Sequence, residues 1–214
     1  MRYKNIIWDY NGTIVDDAPL SVEAENIVMR SYGLPEITLD FYRQECVMPI
    51  EIFYRKVYNM DNLDFDEIAE RFMENYDRLM HKAAVFPDIA DIIKAFHEMG
   101  LKQGVISGFE TAHLKTGLKS FGLDGYFDFL SGADDNRCGD KSERAAAVAQ
   151  RYGLEPNDTL FIGDMYHDYE TAQKIGADCI LIARGHQGAQ PLRSSGNVTV
   201  LDDAAPLMDI VVNS

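Results

Sequence analysis

Short apolar runs that stop abruptly at polar or glycine-containing turns recur along this chain. They are Asn5-Ile6-Ile7-Trp8 before Asp9, Gly104-Val105-Ile106 before Ser107, Thr159-Leu160-Phe161-Ile162 before Gly163-Asp164, and Cys179-Ile180-Leu181-Ile182. Runs of this length without polar alternation predict strands buried on both faces, as in a parallel sheet. Between them lie stretches of helical period: Ile89, Ile92, Ile93 and Phe96 in one, residues 145–152 in another. Strand alternating with helix predicts a doubly wound α/β layer. In such sheets the ligand lies beyond the carboxyl ends of the strands, which singles out Asp9, Ser107 and Asp164.

Residues 16–84 break the alternation and read as all-helical. Leu20, Ala24, Ile27 and Val28 keep one apolar face, and Phe65, Ile68, Phe72, Tyr76 and Leu79 keep another; the ordinary use of such stripes is core packing. The block starts a few residues after Asp9 and returns to the sheet pattern near Val85-Phe86-Pro87. It is therefore expected to sit over the strand ends as an inserted cap. The expected organisation is an α/β core of residues 1–15 and 85–214 with a helical cap of residues 16–84, hinged near residues 15–18 and 82–87.

Composition narrows the function classes. The 214 residues, 46% hydrophobic and 11% aromatic, suffice for a buried core in one domain with an insertion and argue against disorder. Twenty Lys and Arg against 35 Asp and Glu leave a formal charge of −15, which opposes binding along nucleic acid or an anionic membrane. Any anionic ligand must be held by local charge. Cys46, Cys138 and Cys179 are widely spaced and form no Cys-x-x-Cys pair, so neither a disulfide framework nor a zinc site is expected, and a reduced cytoplasm fits. The only apolar run near the N-terminus is Ile6-Ile7-Trp8, and no stretch approaches the length that spans a bilayer. The sequence does not define an oligomeric state.

The positions able to carry chemistry form an ordered set. Asp9-Tyr10-Asn11-Gly12-Thr13 follows the first strand, Ser107 ends another, Lys141 opens a helix, and Gly163-Asp164-x-x-x-Asp168 follows a later strand. In this order they resemble the four motifs of the haloacid dehalogenase-like (HAD) hydrolase superfamily, and the helical block resembles the cap of its phosphoglycolate phosphatase-like branch. The resemblance covers nearly the whole chain. It implies a Rossmann-like core and a Mg²⁺-dependent phosphatase acting on a small phosphorylated metabolite such as phosphoglycolate, through an aspartyl phosphate on Asp9.

Physical chemistry gives each position a reason. A carboxylate such as Asp9 attacks a phosphoryl group only if the repulsion between two anions is removed, which Mg²⁺ does. Mg²⁺ takes oxygen ligands, which Asp9, Asp164, the backbone carbonyl of Asn11, and Asp168 directly or through the outer shell could supply. Asp164 and Asp168, four apart near a helix start, could alternatively be N-terminal caps. Ser107 offers a hydroxyl, Gly108 lets backbone N–H groups approach an anion, and Lys141 adds a positive charge. In the resembling family these groups hold the phosphoryl oxygens.

One position departs from the family. Two residues after the nucleophile the family normally has a second Asp, which protonates the leaving alkoxide and activates water; here it is Asn11. An amide cannot exchange that proton, although its NH₂ can donate a hydrogen bond. Such assistance is typically worth ~10²–10⁴-fold. Three outcomes stay open: a substrate with a good leaving group, compensation by His167 or Asp16, or a phosphoryl-ligand binding protein with negligible turnover. Asp164 and Asp168 argue against a dehalogenase. A phosphonate hydrolase would need a cap lysine, for which only Lys56 and Lys82 offer themselves. For specificity, Arg43, Arg55 and Lys56 in the cap, with Arg184 and His186 after a core strand, are the candidates to meet a substrate carboxylate.

Overall fold

A computed structural model describes residues 2–58, 63–133 and 141–213. Cys138 and the Gly139-Asp140 pair that precedes Lys141 lie outside the described residues. The chain runs β1 (Asn5–Trp8), β2 (Val15–Asp16), α1 (Ala18–Ser31), α2 (Leu39–Glu45), α3 (Glu51–Val57), α4 (Phe65–Leu79), β3 (Ala84–Val85), α5 (Pro87–Glu98), β4 (Lys102–Glu110) and α6 (Thr111–Ser120). It continues with β5 (Phe129–Ala133), α7 (Lys141–Tyr152), β6 (Thr159–Gly163), α8 (Tyr166–Ile175), β7 (Asp178–Ile182), α9 (Ala189–Ser194), β8 (Thr199–Leu201) and α10 (Leu207–Asn213).

Six strands form one parallel sheet in the order β5-β4-β1-β6-β7-β8. All four residues of β1 and all five of β6 are buried, which is why neither strand shows polar alternation. Successive side chains alternate between faces. Ile6 and Trp8 pack with Ile89, Ile93 and Phe96 of α5 on one side, while Ile7 packs with Phe161, Ala145 of α7 and Ala172 of α8 on the other. This is the doubly wound α/β arrangement that the periodicity predicts. Strands β5 and β8 lie at the two sheet edges and carry no run comparable to the four recognised ones.

Helices α1 to α4 are inserted between β2 and β3. Val15 and Asp16 pair antiparallel with Ala84 and Val85, so the chain leaves for the helices and returns through a two-stranded ribbon. The helices have their own core, in which Val28, Met29, Tyr42, Phe53, Tyr54, Tyr58 and Ile68 are buried together. Asp64 starts α4 by accepting from the N–H of Asp66 and Glu67, and Thr38 starts α2 by accepting from Phe41. No helix among the described residues is long and apolar enough to cross a membrane.

Candidate active site

Chain order places the site. From β1 the sheet grows one way through β4 and β5, then the chain crosses back to lay β6 on the other side of β1. The carboxyl ends of β1 and β6 therefore flank the point where strand order reverses, the place where open α/β sheets bind ligands. Trp8 is in register with Ile162, and the Asp9 N–H donates to the Ile162 carbonyl at 2.8 Å. Asp9, one residue beyond Trp8, and Asp164, two beyond Ile162 and directly after β6, come together at these ends, and Asp168 in the first turn of α8 completes a set of three buried carboxylates. One ligand oxygen from each lies within 4.8 Å of the others.

Lys141, first residue of α7 and buried, is held between two of them, donating from Nζ to Asp9 and, at 2.5 Å, to Asp168 Oδ1. The other oxygen of Asp168 accepts from the backbone N–H of Asp164 at 3.0 Å and of Met165 at 2.9 Å. Capping and cluster membership are thus not alternatives for Asp168: one carboxylate oxygen does each. Asp164 Oδ2 accepts from the His186 N–H at 2.6 Å, and Thr13 Oγ1 reaches Asp164 Oδ1 at 3.3 Å.

Burial pushes the Asp9 carboxyl up to about 7 against the opposing pull of Lys141, and raises Asp164 well above the carboxylate range. Burial would depress Lys141, but Asp168 and Asp9 outweigh it and raise the ammonium above its ordinary value. Asp9, Asp164, Asp168 and the nearby buried Asp17 face two basic side chains, Lys141 and His186. With all six charged, two negative charges are left over. Oxygen-only donors with an excess of two negative charges suit a divalent hard cation, which would also hold Asp9 and Asp164 ionised.

Ser107 lies in the neighbouring strand and is buried, but it does not end that strand. β4 runs on to Glu110, with a register shift against β5 between Ile106 and Glu110. At this irregularity the Ser107 hydroxyl accepts from the Phe109 N–H at 3.1 Å, and Oγ lies 3.5 Å from Asn11 Oδ1. Gly108, between them, is half-buried. The Ser107 carbonyl accepts from Arg144 at 2.8 Å, a cation of α7 that sequence reasoning passed over.

Several expected residues stand elsewhere. Arg43 of α2 does not join the carboxylates: its guanidinium donates to the carbonyls of Gly185 at 3.0 Å and Arg184 at 2.5 Å, which ties α2 to the loop after β7. Arg184 makes a bidentate pair with Asp88 at 2.7 and 2.8 Å and lies over the Phe86 ring, a packing role. Arg55 is exposed, Lys56 pairs with Glu45 and Lys82 with Glu23 at the surface. Neither lysine is poised for Schiff-base chemistry. His167 faces Glu170 at 3.4 Å on α8, Asp16 pairs through its backbone with Ala84, and the Asn11 side chain meets Asp17, Tyr76 and Ser107 instead.

The residue beside Asn11 is Asp17, fully buried. It accepts from Asn11 Nδ2 at 2.9 Å, from the Gly12 N–H at 2.7 Å and from the Tyr76 hydroxyl, and faces His186 Nε2 at 3.3 Å. Burial alone would raise Asp17; His186, Tyr76 and Asn11 bring the net shift below the ordinary carboxylate value. His186 is in turn raised to about 9, since Asp17 outweighs its burial, and its Nδ1 meets the Tyr42 hydroxyl at 2.9 Å. Tyr42 and Tyr76 belong to the helical insert, so both reach from it into the strand-end cluster. Nothing in the sequence pattern separates Asp17 from the adjacent Asp16. The one available signal was that helix α1 starts at Ala18-Pro19, which places residue 17 at its N-cap.

The family model described as haloacid dehalogenase-like hydrolase matches residues 6–182 of the chain. The chain is 25% identical over 213 residues to phosphoglycolate phosphatase 1 of Pseudomonas aeruginosa, covering 95% of this chain and 78% of that protein. Among solved structures, a haloacid dehalogenase-like family hydrolase from Streptococcus pneumoniae superposes with a TM-score of 0.78 at 19% identity over 99% of both chains. Protein tyrosine kinase A of Mycobacterium tuberculosis superposes with 0.80 at 20% identity over 98% of both. At such identities the superpositions speak to the fold alone, and the activity has to be argued from the site.

Proposed function

The chain belongs to the haloacid dehalogenase-like hydrolase family, and from that premise we propose that it is a Mg²⁺-dependent phosphatase of small phosphorylated metabolites, phosphoglycolate being the first to try. The observation that carries this reading is the convergence of Asp9, Asp164 and Asp168, all buried, at adjacent strand ends, with Lys141 held between Asp9 and Asp168. The similarity to a phosphoglycolate phosphatase supports the choice of substrate. Residues 16–84 act in this reading as the cap that excludes water during reaction.

Asp9, Asp164, Asp168 and the Asn11 carbonyl would hold the cation, which when bound draws charge from the phosphoryl oxygens. A carboxylate oxygen of Asp9 attacks phosphorus, the P–O bond to the leaving group breaks, and the electron pair departs on that oxygen. Water then attacks the same phosphorus, breaking the Asp9 acyl-phosphate bond and releasing inorganic phosphate, with the water proton passing to solvent. Ser107 and Lys141 meet the phosphoryl oxygens, and Lys141 also orients Asp9. Asn11 supplies no proton, so substrates with acidic leaving groups are turned over faster than alkyl esters.

Purified protein is expected to hydrolyse p-nitrophenyl phosphate with Mg²⁺, to stop in EDTA, and to lose at least ~10³-fold in kcat as Asp9→Asn. Activity equal with and without the metal, or retained in the Asp9 variant, rejects the mechanism. The reading as a phosphoryl-ligand binder predicts phosphate binding without turnover of either p-nitrophenyl phosphate or phosphoglycolate.

A further inference from the structure

The amide NH₂ of Asn11 faces two oxygens inside the protein. Nδ2 donates to Asp17 Oδ2 at 2.9 Å and to the Tyr76 hydroxyl oxygen at 2.8 Å. The orientation is imposed from two sides. The Asp17 carboxylate can only accept, so the atom of Asn11 facing it must be the nitrogen. Tyr76 gives its own proton to Asp17, so its oxygen has only acceptor capacity left for Asn11. The Asn11 oxygen is thereby turned the other way, to 3.5 Å from Ser107 Oγ. Asp17 itself is fixed by the Gly12 N–H and by His186, so it does not rotate to suit Asn11.

We infer that Asp17 is a positioning residue that locks the Asn11 carboxamide with its oxygen, not its NH₂, toward the phosphoryl site, and that positions 11 and 17 form one complementary carboxylate–amide pair. The NH₂, the one donor an amide brings to this position, is thereby directed at Asp17 and Tyr76. This deepens the phosphatase reading and rests on it for its catalytic consequence, though not for the pairing itself.

The consequence runs against a simple repair. Asn11→Asp alone sets two acceptor-only groups face to face in a buried site, where like charges oppose ionisation of both. Asn11→Asp combined with Asp17→Asn exchanges the partners and restores one donor to one acceptor. It also puts a carboxyl group where the family's acid stands.

The test is a double-mutant cycle read in two ways. In EDTA, thermal unfolding of Asn11→Asp is expected about 3 °C or more below wild type, with the double variant recovering at least half of the loss. With Mg²⁺ and β-glycerophosphate, an alkyl ester, the double variant should exceed wild type in kcat by at least ~10-fold, while the single variant gains less than ~3-fold and p-nitrophenyl phosphate changes little. Tm losses that simply add, or a double variant no more active than Asn11→Asp, overturn the inference. Wild-type protein inert toward both esters would reject the phosphatase reading, and the unfolding cycle would still decide the pairing.

Discussion

A methyl group on Gly185 would collide with the Asp164 carboxylate and with the Gly12 carbonyl. The loop after β7 can therefore approach the cluster only without a side chain at that position. Gly12 meets the same carboxylate from the other side with φ at +73°, where a side chain would be strained as well as crowded. Gly185→Ala is accordingly expected to displace the loop and the Asp164 carboxylate locally and to weaken Mg²⁺ binding ~10–100-fold, the range typical for disturbing groups that orient a ligand; calorimetric titration of the metal measures it. Unchanged affinity would mean that Asp164 does not serve the ion. At this scale Asp9, Lys141, Asp164 and Asp168 were legible because each stands at or just beyond the start or end of an element with an obvious period, and Ser107 because it follows the apolar run of β4, although that strand runs on to Glu110. Asp17 and the backbone of Gly185 were not. Their importance comes from what stands opposite them in space, Asn11 and Asp164, and no local pattern records that.

Between elements, the segment of α2 from Tyr42 to Cys46 and the loop of residues 184–188 are joined repeatedly. Arg43 donates to two loop carbonyls, the Gly188 N–H donates back to the Arg43 carbonyl at 2.9 Å, Gln187 donates to the Cys46 carbonyl at 2.8 Å, and Tyr42 meets His186. The same loop touches Asp164 through the His186 N–H. Seating of the helical insert is thus tied to the strand-end carboxylates. With Arg43 as a latch, Arg43→Ala should raise KM for p-nitrophenyl phosphate and for phosphoglycolate by a similar factor, at least ~10-fold, the equivalent of one hydrogen bond made by a charged group. A rise confined to phosphoglycolate would instead return Arg43 to the role of carboxylate binder. Elements with a strong internal period, β1, β6, β7, α5 and the helices of the insert, could be read from the chain. The edge strand β8 is three residues long and lies partly exposed, and β2 and β3 are two residues each. Their pairing is decided by the partner strand, as strand preference generally depends on context.

For the whole molecule, a formal charge of −15 and an anionic substrate are reconciled only by where the charges lie. Asp9, Asp17, Asp164 and Asp168 are buried at one end of the sheet with Lys141 and His186, two positive charges short of neutralising four carboxylates, and burial raises Asp9 and Asp164 accordingly. Without a cation the folded chain holds protons on these two carboxyls that the unfolded chain releases at neutral pH, a cost that should be relieved when a cation binds and keeps them ionised. Free Mg²⁺ at 100 times its dissociation constant would add about 2.7 kcal/mol, which for a chain of this size raises Tm by roughly 5–10 °C. Differential scanning calorimetry with MgCl₂ against NaCl of equal ionic strength separates the site from general screening of surface acids, which both salts provide. Asp164→Asn should start from a Tm at or above that of metal-free wild type, since it removes a carboxyl whose ionisation burial opposes, and should gain less on adding Mg²⁺. Equal gains from both salts, or an Asp164→Asn variant that responds as fully as wild type, would show that the buried carboxylates are balanced without a divalent ion. The global field would then repel the phosphoryl group with Lys141 and its basic neighbours but no divalent charge to oppose it, which is too little for the chemistry proposed at Asp9.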